Sequence, residues 1–204
     1  MKYAQKEVKN RWRTSGLTLV ELLLGLAILS LVATTTAGMI SAVAYGTDGD
    51  RDLRALVARN KMLGARINAA VRGGRMLLDV GEDANGSWAV VWHRDLDGNG
   101  EPSLLEIRRL DYDAAARTLS SFTAPEGAAD VLYAATDDFA TITTNLMGSP
   151  EFLAERWADD AEAFDLSHEL GDPQLSSTLS YRLSLTESGL TDVTIGTVWL
   201  RNRP

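Results

Sequence analysis

A run of apolar residues near the start of the chain constrains its fold more than any other feature. It covers residues 17–32 with a single charged residue, Glu21, and a weaker stretch of small and apolar residues continues it to Ala44. Residues 17–44 would form a helix roughly 42 Å long at about 1.5 Å per residue. The hydrocarbon core of a bilayer is only about 30 Å thick, so the run predicts a membrane-spanning helix.

The charges on either side of this run predict its orientation. Five basic residues against one acidic residue leave residues 1–16 at +4, so the rest of a chain whose net charge is −8 carries −12. Lysine and arginine are enriched on the cytoplasmic side of membrane helices. We therefore expect a single-pass protein with a cytoplasmic N-terminus and an exported body. A body with this much negative charge repels the phosphate backbone of nucleic acids, so no nucleic-acid partner is expected.

The carboxylate of Glu21 is costly inside hydrocarbon, and ionisable residues in membrane segments usually mark a function. No lysine or arginine lies within the run. Cleavage after Gly16 would give Leu17 a free amine about one helical turn from Glu21. That amine could neutralise the same Glu21 or the Glu21 of a neighbouring copy. An ordinary secretory signal or a plain signal anchor stays open as an alternative, although the core of such a signal rarely contains glutamate.

The residues around this position resemble the type IV prepilin signal: Arg13-Thr-Ser-Gly16 followed by Leu17-Thr-Leu-Val-Glu21-Leu. The resemblance implies that a prepilin peptidase cleaves after Gly16 and that Leu17, the new N-terminus, is methylated. The family usually has Phe or Met where this chain has Leu17. In such proteins the fifth mature residue, here Glu21, recruits and registers subunits in a filament. The resemblance also implies anchoring in the inner membrane, with the exported domain in the periplasm or on a cell-surface filament beside other pilin or pseudopilin subunits.

The chain beyond residue 44 has the pattern of a helix followed by strands. The glycine-containing segment 46–50 predicts a kink or short break, with Asp50 as the N-cap of a new helix. Apolar residues then recur at helical spacing to about Arg72, which predicts an amphipathic helix packed on a sheet. Strands are predicted around residues 88–93, 104–112, 117–122, 178–186 and 191–201, and most of residues 150–168 is predicted to be helix.

These elements predict an α+β fold in which a long N-terminal helix, first transmembrane and then amphipathic, packs on an antiparallel β-sheet. A partly helical insertion is expected near residues 145–175. The expected organisation is a leader at 1–16, an assembly helix at 17–44 and an exported pilin-like domain at 45–204. The tail at residues 197–202 and the hairpin over residues 92–112 resemble, more weakly, the PilW-like minor pilins and the J-type minor pseudopilins of type II secretion.

Residues 95–106 match the spacing of an EF-hand-type calcium loop, in which hard Ca²⁺ binds a cluster of oxygen atoms. Gly100 would allow the sharp turn at the sixth position. Pro102, the strand-like flanks and the lack of a second loop depart from a true EF-hand, and a simple polar hairpin turn stays open as the alternative. The candidate ligands are Asp95, Asp97, Asn99, Glu101, Ser103 and Glu106.

No pattern of catalytic residues appears in the sequence. His93 and His168 are the only histidines, and neither belongs to a nucleophile, zinc-protease or P-loop motif. The sequence therefore predicts a structural protein and no enzyme: a minor pilin or pseudopilin that requires no cofactor, with Ca²⁺ as the one candidate ligand. The alternative is a Ca²⁺-dependent adhesin or binding protein that is anchored in the membrane or displayed on a filament.

Overall fold

The computed structural model describes residues 19–201, and for residues 42–50 it describes the backbone alone. Gly16 and Leu17 therefore lie outside the described residues. The first element is the helix α1, Leu19–Arg72. The chain divides into two compact units between Asp50 and Arg51, and α1 contributes to both.

In the first unit, α1 begins with a segment whose one charged residue is Glu21. The segment Leu19–Ser41 is long and apolar enough to cross a membrane, and none of it is buried in the described structure. Backbone helix continues through residues 46–50. The predicted break and the predicted N-cap at Asp50 are therefore wrong. A glycine costs a helix only about 1 kcal/mol relative to alanine, which neighbouring turns can outweigh.

The second unit contains eight strands among its described residues, in two antiparallel sheets. In the first sheet each strand pairs with the next along the chain, and a short helix, α2, lies between its last two strands in sequence. The first sheet consists of β1 (Met76–Asp83), β2 (Gly86–Trp92), β3 (Ile107–Asp113), β4 (Thr118–Thr123) and β5 (Leu153–Ala158). The second consists of β6 (Ala161–His168), β7 (Thr178–Glu187) and β8 (Leu190–Trp199), and α2 spans Phe139–Leu146.

One hydrophobic core joins the two sheets to the C-terminal part of α1. The predicted apolar stripe of the helix is buried, with Leu63, Ile67 and Val71 fully inaccessible. Against it lie side chains such as Leu110 of the first sheet and Leu183 of the second. This packing confirms the α+β prediction for this unit, a helix covered by antiparallel strands. The apolar stripe of an amphipathic helix has to be buried against another element, and here the two sheets bury it.

Two parts of the sequence prediction are wrong in detail. Residues 150–168 form the strands β5 and β6, and the helical residues within the expected insertion at 145–175 are the end of α2 and a short 3₁₀ helix at Pro173–Leu175. The spacing of Trp157 and Phe164, seven residues apart, fits two helical turns, yet both contact the core from strands. The described residues form eight strands where four or five were expected. One reason is that β1 is half-buried and lacks the alternation of apolar and polar residues that identifies a strand.

Tyr181 fixes the closest approach between α1 and the second sheet. Its hydroxyl donates to the carbonyl oxygen of Gly64 at 3.2 Å. A Cβ atom added at Gly196 would lie 2.5 Å from the Tyr181 ring, and one added at Gly64 would lie 3.1 Å from its hydroxyl. The ring therefore occupies space that any larger residue at either glycine would need.

Candidate assembly helix and calcium loop

Four hydroxyl side chains within the apolar segment of α1 are satisfied by the helix itself. Ser30 donates to the carbonyl oxygen of Ala27 at 2.8 Å, and Thr34 donates to that of Ser30 at 2.8 Å. The hydroxyl groups of Thr35 and Thr36 also donate to carbonyl oxygens three and four residues back. A hydroxyl bonded in this way needs no water, which makes the segment compatible with hydrocarbon.

Glu21 lies in the first described turn of α1, among leucines that are more than half exposed. The predicted cleavage site and the new N-terminus lie outside the described residues, so the pairing between Leu17 and Glu21 stays a prediction. The position itself fits the expectation, because Glu21 shares an unburied apolar helix segment with no other charged residue from Leu19 to Ser41.

The candidate calcium loop connects β2 to β3. One carboxylate oxygen from each of Asp95, Asp97 and Glu106 lies within 4.8 Å of the other two. Calcium lies about 2.3–2.6 Å from each of its oxygen ligands, so two ligand oxygens of one ion can lie up to about 5 Å apart. The structure therefore brings together the three carboxylates predicted at the first, third and twelfth positions of the loop, with one oxygen of each within 4.8 Å of the others.

Glu106 is the buried member of this group. Its Oε2 accepts from the indole nitrogen of Trp92 at 3.0 Å and from the backbone nitrogen of Ser103 at 3.2 Å. Its Oε1 accepts from the backbone nitrogen of Leu96. These donors hold the carboxylate at the base of the loop and stabilise its charge there. Because Oε2 already accepts two hydrogen bonds, only Oε1 keeps lone-pair capacity for a cation.

Asp95 is shared between the loop and an arginine that sequence analysis missed. The guanidinium of Arg75 forms an ion pair with Asp95 Oδ2 and lies 4.6 Å from the centre of the Trp92 ring. The other oxygen, Oδ1, is buried without a hydrogen-bond partner among the described residues. Burial raises the pKa of Asp95, but the ion pair with Arg75 and the nearby backbone N–H groups of Gly98 and Gly100 outweigh it and lower the pKa below its ordinary value.

The remaining predicted ligands lie differently. The Asn99 amide donates to Asp97 Oδ2 at 2.7 Å, and its oxygen accepts from the backbone nitrogen of Glu101 at 2.6 Å. The carboxylate of Glu101 is exposed and does not join the group of three. Ser103 is buried, and its Oγ has no hydrogen-bond partner within the described chain. Of the four carboxylates among the predicted ligands, the structure therefore brings together three and leaves out Glu101.

Sequence analysis could not have found Arg75 as a member of this site. It lies twenty residues before Asp95, just ahead of β1, and nothing in its local pattern distinguishes it from a surface arginine. The antiparallel pairing of β1 with β2 brings Arg75 to the loop. Met76 pairs with Trp92, and the backbone nitrogen of Arg75 donates to the carbonyl oxygen of Trp92 at 2.7 Å. Only the register supplies this contact.

A second polar cluster surrounds Arg109 on β3, beside a cavity of about 400 Å³. Its guanidinium forms an ion pair with Asp111, donates to Thr143 Oγ1 at 2.8 Å and to Thr144 Oγ1 at 3.0 Å, and lies 5.3 Å from the centre of the Trp88 ring. Because these acceptors belong to the protein, the arginine ties α2 to the sheet and offers little to a ligand.

The two histidines lie in unrelated surroundings. Partial burial, with Arg108 and Arg94 nearby, lowers the pKa of His93. His168 Nδ1 lies 3.3 Å from Ser176 Oγ, but that hydroxyl donates to the carbonyl oxygen of Asp172 at 3.2 Å. The contact therefore ties the Ser176 turn to β6 and does not resemble a base beside an activated nucleophile.

Neither a protein-family model, nor a curated protein, nor a solved structure matches this chain. The function must therefore be argued from the two sites described above, the apolar helix with Glu21 and the acidic loop.

Proposed function

We propose that this chain is a minor pilin or pseudopilin, a structural subunit that is processed after Gly16 and assembled into a type IV pilus or type II secretion filament. The observation that supports the proposal is the first segment of α1, Leu19–Ser41, which is apolar and unburied and carries Glu21 in its first turn. A helix that is apolar on all sides requires lipid or other helices around it.

Assembly through this helix needs only physical association. In the inner membrane the helix is surrounded by lipid, and in a filament it is surrounded by the helices of neighbouring subunits. Small residues allow such helices to approach closely. Nothing lies within 4 Å of the position that a Cβ atom would take at Gly25 or Gly38, so both are open to a neighbour.

Glu21 sets the register of assembly in this proposal. Cleavage by the prepilin peptidase exposes the amine of Leu17, and a carboxylate and an ammonium group attract strongly in a medium of low dielectric constant. An incoming subunit whose Leu17 amine meets Glu21 of its neighbour is held at one height along the bundle. In this proposal the chain catalyses no reaction of its own.

Three variants of the full chain, expressed with a prepilin peptidase and the other subunits, test the proposal. We expect Gly16→Arg to abolish cleavage, Glu21→Ala to leave cleavage intact but prevent incorporation into sheared filaments, and Glu7→Ala to do neither. Glu7→Ala is the matched control because it removes an acidic residue from the leader. Mass spectrometry of the mature N-terminus reads out the first effect. A mature chain that begins anywhere except Leu17 would rule out the assignment.

The acidic loop favours a second, compatible candidate function: Ca²⁺-dependent binding at the body's surface, as in an adhesin that is anchored in the membrane or displayed on a filament. The three carboxylates within 4.8 Å of one another are the specific observation. Close carboxylates repel unless a cation lies among them. A Ca²⁺ ion there would be held by Asp95, Asp97 and Glu106, and it would stiffen the connection between β2 and β3.

Calcium titration of the full chain in detergent tests this second function. We expect Ca²⁺ to release or absorb heat and to raise the melting temperature, and Asp97→Asn to remove both effects. Glu101→Gln is the control: it alters an exposed carboxylate in the same loop that does not join the cluster. If millimolar Ca²⁺ changes neither heat nor melting temperature in the unaltered chain, the loop is a hairpin turn alone.

A further inference from the structure

A cavity of about 750 Å³ lies between the first sheet and the connection from β6 to β7, residues 169–177. Met76 and Trp92 line it from the first sheet, and Leu170 and Leu175 line it from that connection. Cavities of about 300–1,000 Å³ with largely apolar walls and few polar groups are typical of sites for small molecules. This cavity has the volume and the lining for such a ligand, and neither of the functions proposed above uses it.

Two leucines in the wall of this cavity are left uncovered by the rest of the protein. Leu170 and Leu175 are 45% and 70% exposed. Leu200, which follows β8, lines the same cavity and is half-buried. A ligand with an apolar body would cover this leucine surface, and the removal of apolar surface from water favours binding.

Two uncharged polar side chains in the wall are already bonded within the protein. Gln174 Nε2 donates to the carbonyl oxygen of Ala135 at 2.5 Å. Ser176 Oγ accepts from the backbone nitrogen of Leu170 at 3.1 Å and donates to the carbonyl oxygen of Asp172 at 3.2 Å. These bonds fix the shape of the wall, and they leave the charged groups to decide which ligand it recognises.

The two charged residues of the wall, Arg75 and Glu169, differ in their partners. Arg75 forms an ion pair with Asp95, which neutralises it. Glu169 accepts from Ser177 Oγ at 3.2 Å and from Thr178 Oγ1 at 2.8 Å, and among the described residues it forms no ion pair. The hydroxyl groups hold the carboxylate in place, and each of its oxygens keeps lone-pair capacity for a further donor. The wall therefore presents one negative charge that the protein does not neutralise.

We propose that this cavity binds a small molecule with an apolar body and one ammonium group. The ammonium donates to the carboxylate of Glu169, and the body covers Leu170 and Leu175. Charge selects a cation over an anion on two scales: the chain beyond its first sixteen residues carries −12, which attracts cations before contact, and the cation of the wall is already taken by Asp95. The inference requires neither processing of the N-terminal helix nor calcium.

Calorimetric titration of the full chain in detergent tests the ligand class, with the heat of adding each ligand to empty micelles subtracted. The probes are naphthylmethylamine, naphthylmethanol and naphthylacetate, which share one apolar ring and differ in charge. We expect the amine to bind most tightly, the neutral alcohol about fivefold more weakly because it forms no ion pair, and the carboxylate more weakly still. Equal affinities for amine and alcohol, tighter binding of the carboxylate, or no heat from the amine at millimolar concentration would overturn the proposal.

Three variants locate the binding site. Glu169→Gln keeps the size of the side chain but removes its charge, and we expect it to weaken the amine about fivefold and to leave the alcohol unchanged. Glu126→Gln, at an exposed glutamate outside the cavity, is the matched control and should change neither. Leu175→Ala should weaken both ligands about threefold, because it removes apolar wall. Equal loss of amine affinity in Glu169→Gln and Glu126→Gln would place the ligand elsewhere on the acidic surface and contradict the proposal.

Discussion

Asn60, which is fully buried in the apolar stripe of α1, donates to the carboxylate of Asp192 at 2.8 Å and to the carbonyl oxygen of the same residue at 3.1 Å. The contact joins the helix to β8 across 132 positions of sequence. The two bonds satisfy the amide nitrogen, whereas the buried Oδ1 of Asn60 has no hydrogen-bond partner among the described residues. The pair therefore specifies which part of β8 lies against which turn of the helix.

Removing either member of this pair should leave the other without its partner. We expect Asn60→Ala and Asp192→Ala each to lower the free energy of unfolding by about 1–3 kcal/mol. The double variant should lose less than the two losses added together, with a coupling of about 0.5–3 kcal/mol. Urea unfolding in detergent, followed by tryptophan fluorescence, measures all four members of the cycle. Additive losses would mean that the contact contributes nothing.

The buried stripe of α1 should carry much of the body's stability. We expect Leu63→Ala, at a fully buried position, to lower the free energy of unfolding by about 2–5 kcal/mol, because it removes packed methyl groups and leaves a cavity. Met62→Ala, one residue earlier and 54% exposed, is the control and should change stability little. Similar losses in both variants would contradict the packing of this helix face.

Arg75 should compete with Ca²⁺ for Asp95, since both are cations that need the same carboxylate. We expect Arg75→Gln to tighten Ca²⁺ binding by up to about fivefold, because a partly exposed ion pair is worth about 0.2–1 kcal/mol. Arg66→Gln, which removes an ion pair from α1 to β5, is the control. Calorimetry on the three proteins decides the point. Weaker binding in Arg75→Gln than in Arg66→Gln would show that Arg75 supports the loop.

Asp138, the N-cap of α2, should make this helix sensitive to acid. Hydrogen bonds from the backbone and side chain of Thr141 outweigh a small effect of burial and lower the pKa of Asp138 below 3.8. A carboxyl whose pKa is lower in the folded state stabilises the fold above its unfolded value and loses that contribution as the pH falls through its folded value.

We therefore expect Asp138→Ala to melt at a lower temperature than the unaltered chain at pH 7, and the difference to shrink as the pH is lowered below 3.8. Asp137→Ala, at the preceding residue, is the neighbouring control. Melting followed by circular dichroism between pH 7 and pH 3 checks the trend. A difference that stays constant over this range would show that the charge of the cap contributes nothing.

The parts of the fold that could be predicted from sequence are those with a local signal. The apolar run, the stripe of α1 and the hairpin of β2 and β3 each have a periodicity that the chain records within a few residues. The large apolar residues of 150–168 lie among acidic ones, a pattern that suits both a helix and two core-facing strands, and the structure has strands. The pairing of these residues with β4 and β7 favours strands over a helix, and the partners of a strand cannot be derived from a single sequence.

The candidate loop shows the same division. Asp95, Asp97 and Glu106 could be predicted from their spacing, because a short loop folds back on itself. Asn99 and Glu101 could not be placed, since amide and backbone bonds inside the loop decide where their side chains point. Arg75 depended on the register of β1, which lies outside any local pattern.

Tyr181, held between Gly64 and Gly196, has a consequence for the history of this gene. A methyl group gained at Gly196 would lie 2.5 Å from the ring, so a descendant that acquired one would have to replace the tyrosine by something smaller in the same step, whereas at Gly64 the hydroxyl, 3.1 Å away, would have to shift by only a few tenths of an ångström. Tyr181 and Gly196 should therefore change together or not at all, and they would help to identify distant relatives of this body even after its acidic exterior had diverged beyond recognition.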